Sequence, residues 1–219
     1  MLIAQTDRKV GKIFIITSVI VILFCTESKC QTYAPKFGIK AGANSSKYLG
    51  GFNDLKNGWT LGYYGGAFAN IWITDRLELQ PELLLEQNKF YRSNTVSYMV
   101  SYHNFATVFL KEKTSELTIS TPITIRYYLS NRFFVEGGGY FGYILSQKIN
   151  HQYKYYTDYV DNDYKYSKKF VDYGVLYGTG FHLSNKLALG LRCFTGLAKR
   201  EFNGSQFFNL NLGIEYTIF

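Results

Sequence analysis

The stretch "LTISTPITIRYYL", residues 117–129, alternates between two sets of side chains with a period of two. One set is mostly apolar: Leu117, Ile119, Thr121, Ile123, Ile125, Tyr127 and Leu129. The other set is mostly polar: Thr118, Ser120, Pro122, Thr124, Arg126 and Tyr128. A period of two predicts a β-strand whose two faces meet different surroundings. Arg126 lies on the polar face.

The same alternation recurs along most of the chain, and long helical periodicity is absent beyond residue 30. It predicts eight strands, at 36–48, 59–74, 76–90, 114–129, 132–148, 169–183, 186–198 and 206–219. Two of them contain an interior proline, Pro81 and Pro122. Since proline cannot donate to a ladder, each position predicts a bulge or a local widening of the sheet.

The connections between the predicted strands alternate in length. Three are tight turns, at 74–75, 130–131 and 184–185. The others are longer polar stretches, at 49–58, 91–113, 149–168 and 199–205. Short turns at one end and long loops at the other are typical of transmembrane β-barrels. The predicted fold is therefore all-β, an eight-stranded antiparallel up-and-down transmembrane β-barrel.

Charge placement predicts which face meets lipid. Arg or Lys on a lipid-facing strand costs about 2–4 kcal/mol at the bilayer midplane, so the charged face should line the lumen. A soluble sandwich also alternates, but its strands are shorter, with a mode of roughly 5–6 residues. By alternation the inward charged residues are Lys40, Glu78, Glu82, Glu86, Arg126, Glu136, Arg192 and Glu215. In a narrow barrel we expect them to pair, with Arg126 bound to carboxylates such as Glu136 and Glu82. A polar conduit is the alternative.

The first 30 residues are typical of a cleaved signal peptide. Arg8, Lys9 and Lys12 precede the apolar run "IFIITSVIVILFC", residues 13–25. That run is short for a membrane-spanning helix and suits the hydrophobic region of an export signal. Cleavage is expected after Cys30. A lipoprotein processed at Cys25 and an uncleaved anchor helix are the alternatives. The domains are then 1–30, a signal peptide, and 31–219, the barrel, in which Cys193 is the remaining cysteine and a small apolar side chain.

Charge and tyrosine content of the long loops suggest surface partners. The chain has 24 basic and 16 acidic residues, and the basic excess of the barrel domain falls in the loops. Lipopolysaccharide phosphates of an outer leaflet are the expected counterions, and nucleic acid is a poor fit for an exported chain. The loop 149–168 interleaves tyrosine with Lys and Asp, which suits a protein or glycan partner, or a hairpin that extends the strands. Its tyrosines are Tyr153, Tyr155, Tyr156, Tyr159, Tyr164 and Tyr166.

Motifs for catalysis and cofactor binding are nearly absent. "GGGYFG", residues 137–142, has dinucleotide-loop spacing, but strand alternation continues where a helix would be required. His103, His151 and His182 are dispersed without metal-ligand spacing. No serine lies in a nucleophile-elbow context. The sequence therefore predicts no metal, no cofactor and no enzyme.

Several segments together resemble a known family. They are "KFGIKAGANSS" at 36–46, "LELQPELLLEQNKF" at 77–90, "PITIRYYL" at 122–129, "FFVEGGGYFGYIL" at 133–145 and "DYGVLYGTGFHLSNKLALGLRCFTGL" at 172–197. They resemble the PorT-like "porin family" of outer-membrane β-barrels, which are abundant in Bacteroidetes-type bacteria. The resemblance covers 36–219 and implies an outer-membrane location in a Gram-negative cell. It also implies that Pro81 and Pro122 are features of the barrel. Members often end on an outward aromatic that the barrel assembly machinery recognises, which points here to Tyr216, Ile218 and Phe219.

The expected function follows from the filled lumen. We expect a monomeric barrel with a structural or interaction role: envelope integrity, surface contact or part of an export assembly. A narrow channel for small ions or solutes is the alternative, because eight strands leave too little room for a general pore. A lipid-modifying outer-membrane enzyme is a third class.

Overall fold

The computed structural model describes residues 34–50, 56–101, 104–155, 158–166, 171–198 and 206–219. The predicted signal peptide, 1–30, lies outside these residues, as does Tyr156. No helix in the described ranges is long and apolar enough to cross a membrane.

The described chain consists of antiparallel β-strands. There are ten: β1 Lys36–Leu49, β2 Lys56–Gly58, β3 Thr60–Thr74, β4 Leu77–Ser101, β5 Asn104–Tyr128, β6 Phe133–Tyr155, β7 Asp158–Tyr166, β8 Val171–His182, β9 Leu187–Gly196 and β10 Gln206–Thr217. The short strand β2 pairs with β4 beyond the end of β3, and β7 pairs with β6 beyond the end of β8. Strand β2 therefore continues the line of β3 along β4, and β7 continues the line of β8 along β6.

The remaining eight strands close into a barrel. Strand β1 pairs with β3 and β10, β4 with β3 and β5, β6 with β5 and β8, and β9 with β8 and β10. The ring closes between the first and last strands, where Lys40 lies opposite Glu215. A closed ring leaves no free sheet edge, which is what a bilayer demands of a β-structure. The predicted eight-stranded antiparallel barrel is confirmed.

The tight turns share one hydrogen-bonding device. A hydroxyl oxygen at the start of each turn accepts the backbone N–H two residues later: Thr74 from Arg76, Ser130 from Arg132 and Ser184 from Lys186, at 3.3–3.4 Å. Side chains of Ser and Thr hold turns in this way because they replace a backbone acceptor. This explains why a hydroxyl residue recurs at the start of all three turns.

Two of the predicted loops are largely strand. The stretch 91–113 was expected to be a loop, but β4 and β5 continue through it and stay paired as far as Ser101 and Asn104. The predicted loop 149–168 contains the end of β6 and the whole of β7. The prediction of a loop at 91–113 was wrong, whereas the strand-extending hairpin expected as one alternative for 149–168 is confirmed. Period-two hydropathy does not reveal the strands in 91–113 because that segment has little contrast between its two faces.

The two prolines interrupt the ladder without shifting it. Between β4 and β5 the pairs Pro81–Ile123 and Leu84–Ser120 keep one register, and the positions between them are unpaired. On its other side Pro122 remains paired with Tyr140 of β6. Of the two expectations, a local widening is correct and a bulge is not. Each proline keeps its ladder partner on one side and loses it on the other.

A true register shift lies between β5 and β6, nearer the long-loop end of the barrel than the prolines. Leu117 pairs with Ser146, whereas the next residue, Thr118, pairs with Ile144, so Leu145 is an extra residue on β6. Leu145 and Ser146 are consequently both exposed. Beyond this bulge the inward and outward positions of β6 exchange parity, because alternation restarts one residue later.

The barrel wall is apolar outside and polar inside. Large apolar side chains are about half exposed over the whole outer surface, among them Ile39, Leu83, Leu85, Ile123, Ile125, Val175, Leu191, Leu212 and Ile214. The fully buried side chains include Glu78, Gln80, Glu116, Arg126 and Asn44. This is the reverse of a soluble barrel, and it assigns the outer wall to lipid and the charged face to the lumen.

Candidate functional site

One row of the lumen carries alternating charges on neighbouring strands. Glu78 of β4 lies opposite Arg126 of β5, which lies opposite Glu136 of β6. The row continues through Gly178 of β8 to Arg192 of β9. Directly opposed residues have Cβ atoms about 4.5–5.5 Å apart, so opposite charges in one row can bind each other.

Arg126 is, with Glu78, among the most deeply buried of these charges. Its side chain is fully buried, and it donates from Nε to Glu136 at 2.8 Å and from Nη2 to Glu215 at 2.7 Å. Its Nη1 lies 3.6 Å from Glu78 Oε1. The guanidinium also lies 4.3 Å from the ring centroid of Phe134, in a cation–π contact. Arg126 thus connects carboxylates of three strands.

Arg192 binds the other side of the same cluster. Its Nε and Nη2 donate to the two carboxylate oxygens of Glu136, a bidentate arrangement. Its Nη1 donates to Glu82 at 2.9 Å, and Nη2 also donates to the amide oxygen of Gln80 at 3.1 Å. Arg192 and Glu136 are two strands apart and meet because Gly178, between them, has no side chain.

Lys40 completes the cluster from β1. Its Nζ lies 2.8 Å from Glu82 Oε1 and 2.7 Å from Glu215 Oε1. Glu215 faces Lys40 directly on β10, while Glu82 is reached across β3 at Gly66, which pairs with Lys40. Glu82 was expected to bind Arg126; it binds Lys40 and Arg192 instead.

The structure therefore brings together seven of the eight predicted lumen charges. They are Lys40, Glu78, Glu82, Arg126, Glu136, Arg192 and Glu215. The eighth, Glu86, is also buried but lies higher on β4, where it accepts a hydrogen bond from Ser120 at 2.6 Å. We call the seven residues the lumen ion cluster.

Two further layers fill the lumen above the ion cluster, and sequence reasoning missed both. In the first, Asn88 Oδ1 accepts from Asn44, Ser46 and Asn209 at 3.0–3.4 Å. In the second, Phe90 stacks on Tyr48 with centroids 4.3 Å apart and meets Phe207 edge-on at 5.8 Å. Alternation places all of these residues inward, but it does not show which residues of distant strands meet in one layer.

The turn end of the barrel opens into a vestibule of about 730 Å³. At its floor the hydroxyl of Tyr128 donates to Glu78 at 3.1 Å and lies 3.2 Å from His182 Nε2. Trp72 stacks on Tyr128 with centroids 4.9 Å apart. The vestibule ends at the ion cluster, which separates it from the upper lumen.

A family model described as "Outer membrane protein beta-barrel domain" matches residues 31–200. The chain belongs to this family. Family and fold agree, and the protein is an outer-membrane β-barrel of a Gram-negative bacterium, as the sequence predicts. None of the curated proteins compared with the chain matches it.

Solved structures similar to this outer membrane β-barrel protein are other outer-membrane barrels. Neisserial surface protein A is 12% identical with a TM-score of 0.46, and the match covers 85% of this chain and 100% of that one. Ail of Yersinia pestis is 9% identical with a TM-score of 0.41 and the same coverage. OprG of Pseudomonas aeruginosa is 11% identical with a TM-score of 0.39, covering 86% of this chain and 98% of that one. With TM-scores below 0.5, these likenesses do not bear on function.

The remaining predicted site residues lie at the two ends of the outer membrane β-barrel. Tyr153 and Tyr155 belong to β6, and Tyr159, Tyr164 and Tyr166 to β7, within one antiparallel hairpin. At the other end Tyr216, Ile218 and Phe219 are exposed on the outer wall, and the backbone of Phe219 accepts from Phe37 at 2.8 Å. No group of His, Cys, Asp or Glu in the described ranges could hold a metal ion.

Proposed function

We propose that this protein is a closed, non-conducting barrel whose role is structural and contact-forming, and that it acts as a monomer. The observation that carries the proposal is the lumen ion cluster. Side chains from β1, β4, β5, β6, β9 and β10 bind one another across the lumen with distances mostly between 2.7 and 2.9 Å.

Energetics support a permanent closure. The cluster contains three cations and four carboxylates, all buried. Removing one partner of a buried ion pair costs about 3–5 kcal/mol of stability. Separating several pairs to open a path through the cluster would therefore be strongly unfavourable. The interior of an eight-stranded barrel is only wide enough for side chains to fill. The amide and aromatic layers above the cluster lengthen the closed section.

The long hairpins provide the contact surface in this proposal. A membrane-spanning strand needs about 9–11 residues, and β4 and β5 have 25 each. The residues beyond the membrane extend on the order of 45 Å along the strand direction. The β6–β7 hairpin, which contains several tyrosines and lysines, lies next to the β4–β5 hairpin and pairs with it along β5. Such a surface suits a protein or glycan partner, since tyrosine offers both a ring face and a hydroxyl.

Conductance measurement is the direct test. Purified protein, refolded in detergent and shown to be folded by its heat-modifiable gel migration, would be added to planar lipid bilayers. We expect silent bilayers. A reproducible single-channel conductance from folded protein would overturn the proposal in favour of a narrow channel for small ions or solutes.

We also propose that the protein is not an enzyme. Support comes from the surroundings of two histidines: His182 lies at the vestibule floor against Tyr128, and His151 lies in the outer hairpin 3.9 Å from Glu112. They are at opposite ends of the barrel. Single substitutions of either should leave the lipid composition of the outer membrane unchanged, and an altered lipid profile would overturn this part.

Finer relationships are proposals of the same kind. We propose a place in the PorT-like branch of Bacteroidetes barrels, supported by the strand motifs around Pro81 and Pro122. We further propose that the exposed Tyr216, Ile218 and Phe219 are bound by the barrel assembly machinery. Replacement of the three by serine should lower the amount of folded protein in the outer membrane while leaving its export to the periplasm intact.

A further inference from the structure

A group of lysines lies on the outside of the barrel, away from the lumen. Lys89 of β4, Lys113 of β5 and Lys148 of β6 are all exposed. Lys89 and Lys148 both pair with Ser115 of β5. Lys113 lies two residues before Ser115 on the same strand. The three ammonium groups thus belong to two successive outward rows on three adjacent strands. Together with Trp59 they line a groove of about 300 Å³.

The height of this groove relative to the membrane follows from β4. Its outward residues are apolar from Leu77 to Leu85, and Gln87 is the first polar one. Residues 77–87 therefore match the roughly 9–11 residues that a spanning strand requires. Lys89 is the next outward residue. Since the short turns face the periplasm, the groove lies at the headgroup level of the outer leaflet.

Trp59 gives the groove an aromatic wall. It lies at the break between β2 and β3, is half exposed, and makes an edge contact with Phe208 at 5.8 Å. A fourth lysine, Lys47, lies 4.5 Å from the centroid of its ring. Amphipathic rings with adjacent lysines are characteristic of the membrane interface.

The basic group occupies one side of the barrel. The outward positions of β8, β9 and β10 in the described ranges carry no Lys or Arg. A general interfacial collar would surround the barrel. With Lys47 of β1 and Trp59, the basic group lies on the side formed by β1 to β6, and its confinement to that side indicates a site.

We propose that Trp59, Lys89, Lys113 and Lys148 form a binding site for a phosphorylated glycolipid of the outer leaflet. The lysines would bind its phosphates, and the ring of Trp59 would contact its sugar. Its acyl chains would lie along the apolar wall below, at Leu83 and Leu85. A basic groove directly above an apolar wall favours a lipid over a soluble anion, because only a lipid can contact both the lysines and the wall.

Tryptophan emission provides the readout. The chain has two tryptophans, so Trp72→Phe leaves Trp59 as the sole reporter. Folded protein in phosphatidylcholine nanodiscs would be titrated with diphosphoryl lipid A and, separately, with dephosphorylated lipid A. We expect saturable changes in Trp59 emission with the first and an affinity about tenfold lower with the second.

A matched pair of variants tests the lysines. Lys89→Gln with Lys113→Gln and Lys148→Gln should weaken binding of diphosphoryl lipid A by about tenfold. Arg76→Gln with Arg132→Gln and Lys186→Gln removes the same charge from the exposed periplasmic turns and should leave the affinity unchanged. Both triple variants change exposed side chains, so heat-modifiable migration should show normal folding.

Three results would overturn the site. Equal weakening by both triple variants would show attraction to net charge. Equal affinity for the dephosphorylated lipid would remove the role of phosphate. Full competition by inorganic phosphate at the concentration of the lipid would show that the groove takes a free anion and not a lipid.

Discussion

Arg192 and Glu136 bind each other across Gly178, which lies opposite both of them on the strand between. The bidentate pair spans two strand spacings, so it exists because the intervening position has no side chain. Gly66 of β3 likewise presents no side chain opposite Lys40, which reaches past it to Glu82 on β4. Glycines of the inner face are thus part of the ion cluster even though they carry no charge.

Gly178→Ala should therefore destabilise the barrel by about 1–3 kcal/mol. An added Cβ would lie 2.5 Å from the carbonyl oxygen of Leu191 and 2.9 Å from Cγ of Arg192. Gly137→Ala is the control, because it is outward and the nearest atom to its Cβ would be 4.0 Å away. Urea unfolding in detergent micelles, followed by tryptophan fluorescence, measures both. Equal unfolding midpoints would contradict the crowding at Gly178.

Arg126→Ala should cost about 3–5 kcal/mol of unfolding free energy. The change removes one of the cationic partners of Glu136 and Glu215 and leaves the four carboxylates of the lumen ion cluster buried with two cations, Lys40 and Arg192. Arg132→Ala, in the exposed turn after β5, should stay within about 0.5 kcal/mol of the wild type. The same urea titration would reveal the difference, and similar losses for the two variants would speak against an ion-paired lumen.

Tyr128→Phe should lower stability by about 1.5 kcal/mol or more, because the carboxylate of Glu78 loses a hydrogen-bond donor in a buried site. Tyr127→Phe is a matched control, since the neighbouring ring is exposed on the lipid side. In a Trp59→Phe background the emission of Trp72, which stacks on Tyr128, reports the vestibule floor directly. An equally large loss of stability in the control would show that the effect does not come from the buried hydrogen bond between Tyr128 and Glu78.

Ser184→Ala should cost about 0.5–1.5 kcal/mol, because the hydroxyl accepts the backbone N–H groups of Lys186 and Leu187 at 3.3 and 3.1 Å. Ser184→Thr should be nearly neutral, since Thr74 occupies the equivalent place in the first turn. Thermal unfolding followed by gel migration compares the two. If alanine and threonine behaved alike, the hydroxyl would not be what holds the turn.

The sequence predicts the barrel well where one face meets lipid. Strand β10, for example, alternates throughout and was placed to within two residues. Prediction fails above the membrane, where β4 and β5 continue through 91–113 with polar residues on both faces. The inward direction of Arg126 also follows from alternation. Its partners do not, because they depend on the register of strands far apart in sequence and on which inner positions are glycine.

The bulge at Leu145 keeps the upper part of β6 in step with β5. If the same residues alternated strictly, Gln147 would face lipid and Lys148 would face the lumen, away from Lys89 and Lys113. Because Leu145 and Ser146 both face outward, the bulge absorbs one residue and Gln147 stays inward. Deletion of Leu145 would remove the bulge and leave these directions unchanged. The wall can therefore take up a one-residue change in strand length here without changing the surface that the hairpin presents, which allows related barrels to differ in length at this point.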